Sequence, residues 1–133
     1  MPLIQITLTG PQAAPATIQH LQQETTRLMA SILHKEAALT VVNVSQLPEG
    51  ACSANGQAVA TCASLQALIT AGTNNAAEKA AFIFAAKTLL TATFGSSDAP
   101  LYVALHELPA ESWGYDGQTQ AARKAQQLIG ETV

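Results

Sequence analysis

The chain opens on an alternation. In "LIQITL", residues 3–8, Leu3, Gln5 and Thr7 fall on one face and Ile4, Ile6 and Leu8 on the other, the period of a strand buried on at least one side. "TGPQAAPA" breaks that pattern. From about Pro15 the apolar positions Ile18, Leu21, Leu28, Met29, Ile32 and Leu33 recur at helical spacing, with polar "QQETT" on the outer face, which predicts an amphipathic helix. His34 and Lys35 close it, where positive side chains suit the carbonyl end. "LTVVNVSQL" reads as a second strand rich in β-branched residues, and "PEGACSANGQ" as a loop.

The second half repeats the plan. "ATCASLQALIT" predicts a strand, and "AGTNN" supplies glycine and capping residues, with Asn75 and Glu78 spaced as a capping box. The alanine-rich helix "AAEKAAFIFAAKTLLTATF" follows, Gly95 stops it, and "PLYVALHEL" is the closing strand. At an offset of about sixty, "LTG" meets "TAG" and "VVNVSQLPEG" meets "YVALHELPAE", so the order of elements points to an internal β-α-β duplication, about 1–58 and 59–133. A helix between two strands makes them parallel, with a right-handed crossover. The fold class expected is therefore α/β (α+β): duplicated β-α-β units forming a four-stranded sheet with two helices on one face, in a single domain spanning 1–133.

Composition bears on assembly and on partners. Of 133 residues, 48% are hydrophobic and only 11% charged, too few charges to cover a lone monomer, so the bare sheet face is expected to be buried by neighbouring subunits. A formal charge of −3 with six scattered basic residues offers no stripe for a phosphate backbone, which argues against nucleic acid. Cys52 and Cys62 form no CxxC pair and the three histidines are widely separated, so neither a metal site nor a disulfide framework is expected. No leader-like or membrane-spanning apolar run is evident, and a soluble, cytoplasmic protein without membrane contact is expected.

Pro2 carries the candidate chemistry. Proline is tolerated at the first residue of a strand, which alone would account for it. If Met1 is removed, however, the Pro2 nitrogen becomes a free secondary amine. Burial among uncharged neighbours such as Leu3, Ile4 and Ile6 disfavours its cationic form, and an amine brought near neutrality is a usable general base and then a general acid. The reaction it fits best moves a proton between keto and enol forms.

"MPLIQITL" at the start, "GTNNAAEKAAFI" at 72–83 and "YVALHELPAESWGYDG" at 102–117 together resemble the tautomerase superfamily, which includes 4-oxalocrotonate tautomerase and macrophage migration inhibitory factor. The last stretch matches a family ending, H-E-x-P-x-x-x-W-G-x-x-G, through His106, Glu107, Pro109, Trp113, Gly114 and Gly117. The resemblance implies that Pro2 is the catalytic base, that no cofactor is needed, and that the protomer forms a homotrimer with sites between adjacent subunits. The length is similar to fused members, in which one polypeptide carries both units. Ser64 lies near the position of Pro2 in the second unit, which implies one active site per chain.

Related members hold dicarboxylates with arginines. The matching positions here are Gln12, Val41 and Tyr102, and dehalogenating relatives have arginines where this chain has Thr70 and Thr73. Without that clamp the expected substrate is a neutral or monoacid carbonyl compound, such as a phenylpyruvate-like enol. Trp113 lines up with an aromatic pocket residue, Tyr102 offers a polar tip beside it, and Asn43 is a polar candidate on the corresponding strand of the first half. His106 and Glu107 read as structural residues near a corner. The alternative reading is a non-catalytic trimeric binding protein that retains the fold.

Overall fold

The computed structural model describes residues 1–132. Strand β1 (Leu3–Thr9) leads into helix α1 (Pro15–Leu33), and a short 3-10 turn at Ala37–Leu39 precedes β2 (Val41–Leu47). A small hairpin follows, β3 (Ser53–Ala54) and β4 (Gln57–Ala58). The second unit runs through β5 (Cys62–Thr70), α2 (Ala76–Phe94) and β6 (Tyr102–Leu108) to a matching hairpin, β7 (Gly114–Tyr115) and β8 (Gln118–Thr119), and ends in α3 (Gln120–Thr132). The main sheet has the order β2-β1-β5-β6. Each β-α-β unit pairs its own strands in parallel, and β1 and β5 join the units antiparallel at the centre.

The alternation in β1 sets the layers. Ile4, Ile6 and Leu8 are buried and meet Leu21, Leu28 and Met29 of α1, while Leu65 and Ala67 of β5 and Phe82, Ala86 and Leu90 of α2 complete the same core. Both helices thus cover one face, as expected. On the other face Leu3, Val41, Leu47 and Tyr102 stay exposed. Helix α1 ends because His34 turns left-handed at φ 59°, which lets the Lys35 amide donate to the Met29 carbonyl. Helix α2 begins on the expected capping box, with the Glu78 amide donating to Asn75 Oδ1 (2.8 Å) and the Asn75 amide to Glu78 Oε1 (2.9 Å).

The duplication runs further than the helices and strands. Pro15 and Ala76 open the helices, Val41 and Tyr102 open the closing strands, and each pair is 61 positions apart. The hairpin turns obey the same offset: Asn55-Gly56 and Asp116-Gly117 all have positive φ, the two-residue turn that matches strand twist. Strand register corrects one expectation. Leu3 pairs with Val41 as Ser64 pairs with Tyr102, so Ser64 corresponds to Leu3 and it is Ala63 that corresponds to Pro2.

Candidate functional site

Because β1 runs away from Pro2 and α1 runs back, the end of α1 returns to the mouth of β1. Pro2 is fully buried there, and its carbonyl accepts the Val41 amide at 3.2 Å. β5 brings Thr70 to the same end, since Leu3 pairs with Leu68. Helix α3 reaches it as well: Gln120 Nε2 donates to the Met1 thioether (2.7 Å).

The electrostatics of this corner favour an uncharged amine. Burial lowers the affinity of the Met1 α-amine for its proton, and the positive charge of Lys35 lowers it further, against a smaller opposite pull from Glu36. Lys35 is itself partly buried and held below the ordinary lysine range by desolvation, while Glu78 and Glu107 act in the opposite sense. Its Nζ donates to Thr73 Oγ1 (2.7 Å), and the Thr73 hydroxyl donates to the Thr70 carbonyl (2.7 Å). Around it the acids are already engaged. Glu107 accepts from Lys79 Nζ at 2.8 Å, and Glu78 meets His34 Nε2 at 3.1 Å besides serving the helix cap.

Trp113 belongs to this end. It is part-buried, and its indole N–H donates to Thr70 Oγ1 (3.1 Å), which fixes the ring beside the last residue of β5. Asn43 sits opposite Gln5 in register, near the Pro2 end, but it is exposed on the face turned away from the helices. Tyr102 lies elsewhere. It opens β6 beside Ser64, five residues along the sheet from the level of Pro2, or about 17 Å at strand rise, and is 73% exposed. A single chain therefore brings Pro2 and Trp113 to one corner and leaves Tyr102 outside it. His106 bonds Gln66 Oε1 (3.0 Å) on the open face, and Glu107 serves the Lys79 pair.

Lys35 stands at this corner, where sequence reasoning read it only as a helix-closing charge. The β-α-β plan contains the missing signal, because a crossover helix necessarily ends over the start of its own strand. Among the described residues no group of three His, Cys, Asp or Glu side chains is arranged to hold a metal ion, and no helix is long and apolar enough to cross a membrane.

No protein-family model matches the chain, and no curated protein matches it in sequence. Solved structures do match. The chain is similar to Pt0534 inactivated by 2-oxo-3-pentynoate, with a TM-score of 0.82 and 19% identity over 91% of this chain and 98% of that one. It is similar to the Q0 fused 4-OT symmetric trimer to the same degree, TM-score 0.82 and 19% identity over 91% and 98%. The macrophage migration inhibitory factor-like protein of Entamoeba histolytica matches at a TM-score of 0.74 and 19% identity, over 89% of this chain and 97% of that one. The chain thus shares the fold of fused 4-OT and macrophage migration inhibitory factor-like proteins.

Proposed function

We propose that the mature protein is a member of the tautomerase superfamily, in which Pro2, freed by removal of Met1, shuttles a proton between carbon and oxygen of an enolisable carbonyl compound. The observation that carries the reading is the corner itself. A fully buried proline lies at a strand mouth, and the amine one residue ahead of it is already pushed toward its neutral form by burial and by Lys35. The same surroundings act on the imino nitrogen once it is the chain terminus.

The chemistry follows from the groups present. The uncharged Pro2 nitrogen takes the enol hydroxyl proton or a proton on the carbon beside the carbonyl, and the resulting pyrrolidinium (a secondary ammonium) returns it to the other atom, so no proton is gained or lost. Negative charge gathers on the carbonyl oxygen as this happens. Lys35, steadied by Thr73, supplies a cation for that oxygen or for one carboxylate of the substrate. One cation suits a monoacid, which agrees with the phenylpyruvate class expected from the missing arginines. Trp113 forms an apolar wall. Tyr102 and Asn43, exposed on the open face, reach a site only if a neighbouring subunit presents them, and we place them there in a homotrimer of the kind the Q0 fused 4-OT forms.

Intact-mass measurement followed by ketonisation of phenylenolpyruvate tests the reading. The expected result is a chain lacking Met1 that accelerates ketonisation, with Pro2→Ala at least a hundredfold slower in kcat/KM. Equal rates for the two proteins would leave a non-catalytic trimeric binding protein as the surviving interpretation.

A further inference from the structure

The end of the sheet opposite Pro2 holds a cavity of about 340 Å³ between the loop after β1, the start of β5 and the end of α2. The 61-residue offset makes this cavity the image of the Pro2 corner. Residues 10–14, which line it, correspond to 71–75, and Cys62–Ala63 correspond to Met1–Pro2. The backbone confirms the correspondence down to single bonds. The Val59 amide donates to the Cys52 carbonyl as the Gln120 amide donates to that of Trp113, and Ala51 to Pro48 as Ser112 to Pro109.

What differs is the chemistry of the side chains. Ala63 replaces Pro2, Ser96 replaces Lys35, Gln46 replaces Glu107 and Thr17 replaces Glu78. Each charge at one end is a neutral group at the other. Two of the large side chains are also replaced by small ones, Cys52 standing where Trp113 does and Ser96 where Lys35 does. Leu8, Ala63, Leu90, Phe94 and Leu101 give the cavity an apolar lining, and none of its lining residues among those described is acidic or basic. Asp98, nearby, is turned onto the Thr61 amide and hydroxyl. Cys62, in the wall, has its thiol pushed up to about 11 by burial and by its hydrogen bond with Cys52, so it stays uncharged at neutral pH.

We infer that this cavity is a second, base-free binding site for an uncharged, largely apolar molecule with a hydroxyl or carbonyl handle. A cavity of about 150 Å³ accommodates benzene, so this volume suits about a dozen non-hydrogen atoms, a fused aromatic pair or its aliphatic equivalent. The hydroxyls of Thr17, Thr93 and Ser97 and the amide of Gln12 meet the handle. A carboxylate is disfavoured there, because nothing in the lining offsets its loss of hydration.

Naphthalene-2-methanol and naphthalene-2-carboxylate, similar in shape but one neutral and the other anionic, test this on the full chain by amide NMR titration. The alcohol is expected to saturate shifts at Gly10–Ala14 and Thr61–Ala63 with submillimolar affinity. The carboxylate is expected to bind there at least tenfold more weakly. It should also slow N-ethylmaleimide alkylation of Cys62 less than the alcohol does. Ala63→Leu and Thr93→Phe each fill the space, and each should weaken the alcohol at least tenfold while leaving Pro2-dependent ketonisation unchanged; two variants are used because overpacking could unfold one. The inference is overturned by no saturable shift, by shifts confined to the Pro2 corner, by equal affinity for both compounds, or by unchanged binding in a folded filled variant. Ketonisation is measured separately, so loss of one result does not imply loss of the other.

Discussion

Pro2 and Lys35 share a corner because the chain folds back, and what each does depends on the other. The lysine charge makes protonation of a neighbouring amine less favourable, so its removal raises that amine's pKa. Lys35→Met is therefore expected to move the acid limb of the kcat/KM profile to higher pH, and to lower its plateau about a hundredfold as the enolate loses its cation. Lys35→Arg should keep most of the limb's position. A pH-rate series on the three proteins checks both effects. Pro2 draws notice in the sequence because a freed secondary amine at a strand mouth would be chemically unusual, and the structure shows that it is buried there. Lys35 draws none, because helical periodicity says which way a side chain leaves its helix and nothing of which strand lies beneath it. Tyr102 shows the converse limit, since an alignment of strand positions does not tell which end of which subunit a residue serves.

Among the elements, α2 was legible to the residue, and its start rests on one side chain that can be removed cleanly. Asn75→Ala deletes the acceptor for the Glu78 amide and is expected to cost about 1 kcal/mol, seen as a lower urea midpoint with an unchanged slope. β1 and β5 were legible as well, because one buried face enforces strict alternation. The two hairpins were missed although "ANGQ" and "YDGQ" carry the turn residues, because strands of two residues show no period to recognise. Helix α3 was missed for a different reason: none of its residues with a described side chain is buried in the core, and polar contacts hold its first turn. Gln120 reaches Met1, while Arg123 donates to the Tyr115 carbonyl (2.9 Å) and stacks over the Tyr115 ring at 3.7 Å.

At the scale of the molecule, the face opposite the helices presents Leu3, Val41, Leu47 and Tyr102 to solvent in one chain. Aliphatic residues spread across paired strands are what a subunit interface requires. Sedimentation is expected to give a mass of three chains. Val41→Glu together with Leu47→Glu should shift it to one chain, with ketonisation falling in step if Tyr102 serves a neighbour's corner. The duplication itself was visible in the order of elements, but its offset of 61 and the exchange of charged for neutral side chains emerge only once register aligns the halves. That register also explains why the halves cannot be chemical equals. The nitrogen of Ala63 is locked in a planar amide with Cys62, and no side-chain replacement makes an amide basic. Even Ala63→Pro would leave the second end without a basic backbone nitrogen, and only a cut in the backbone between those two residues could give the chain a second free secondary amine.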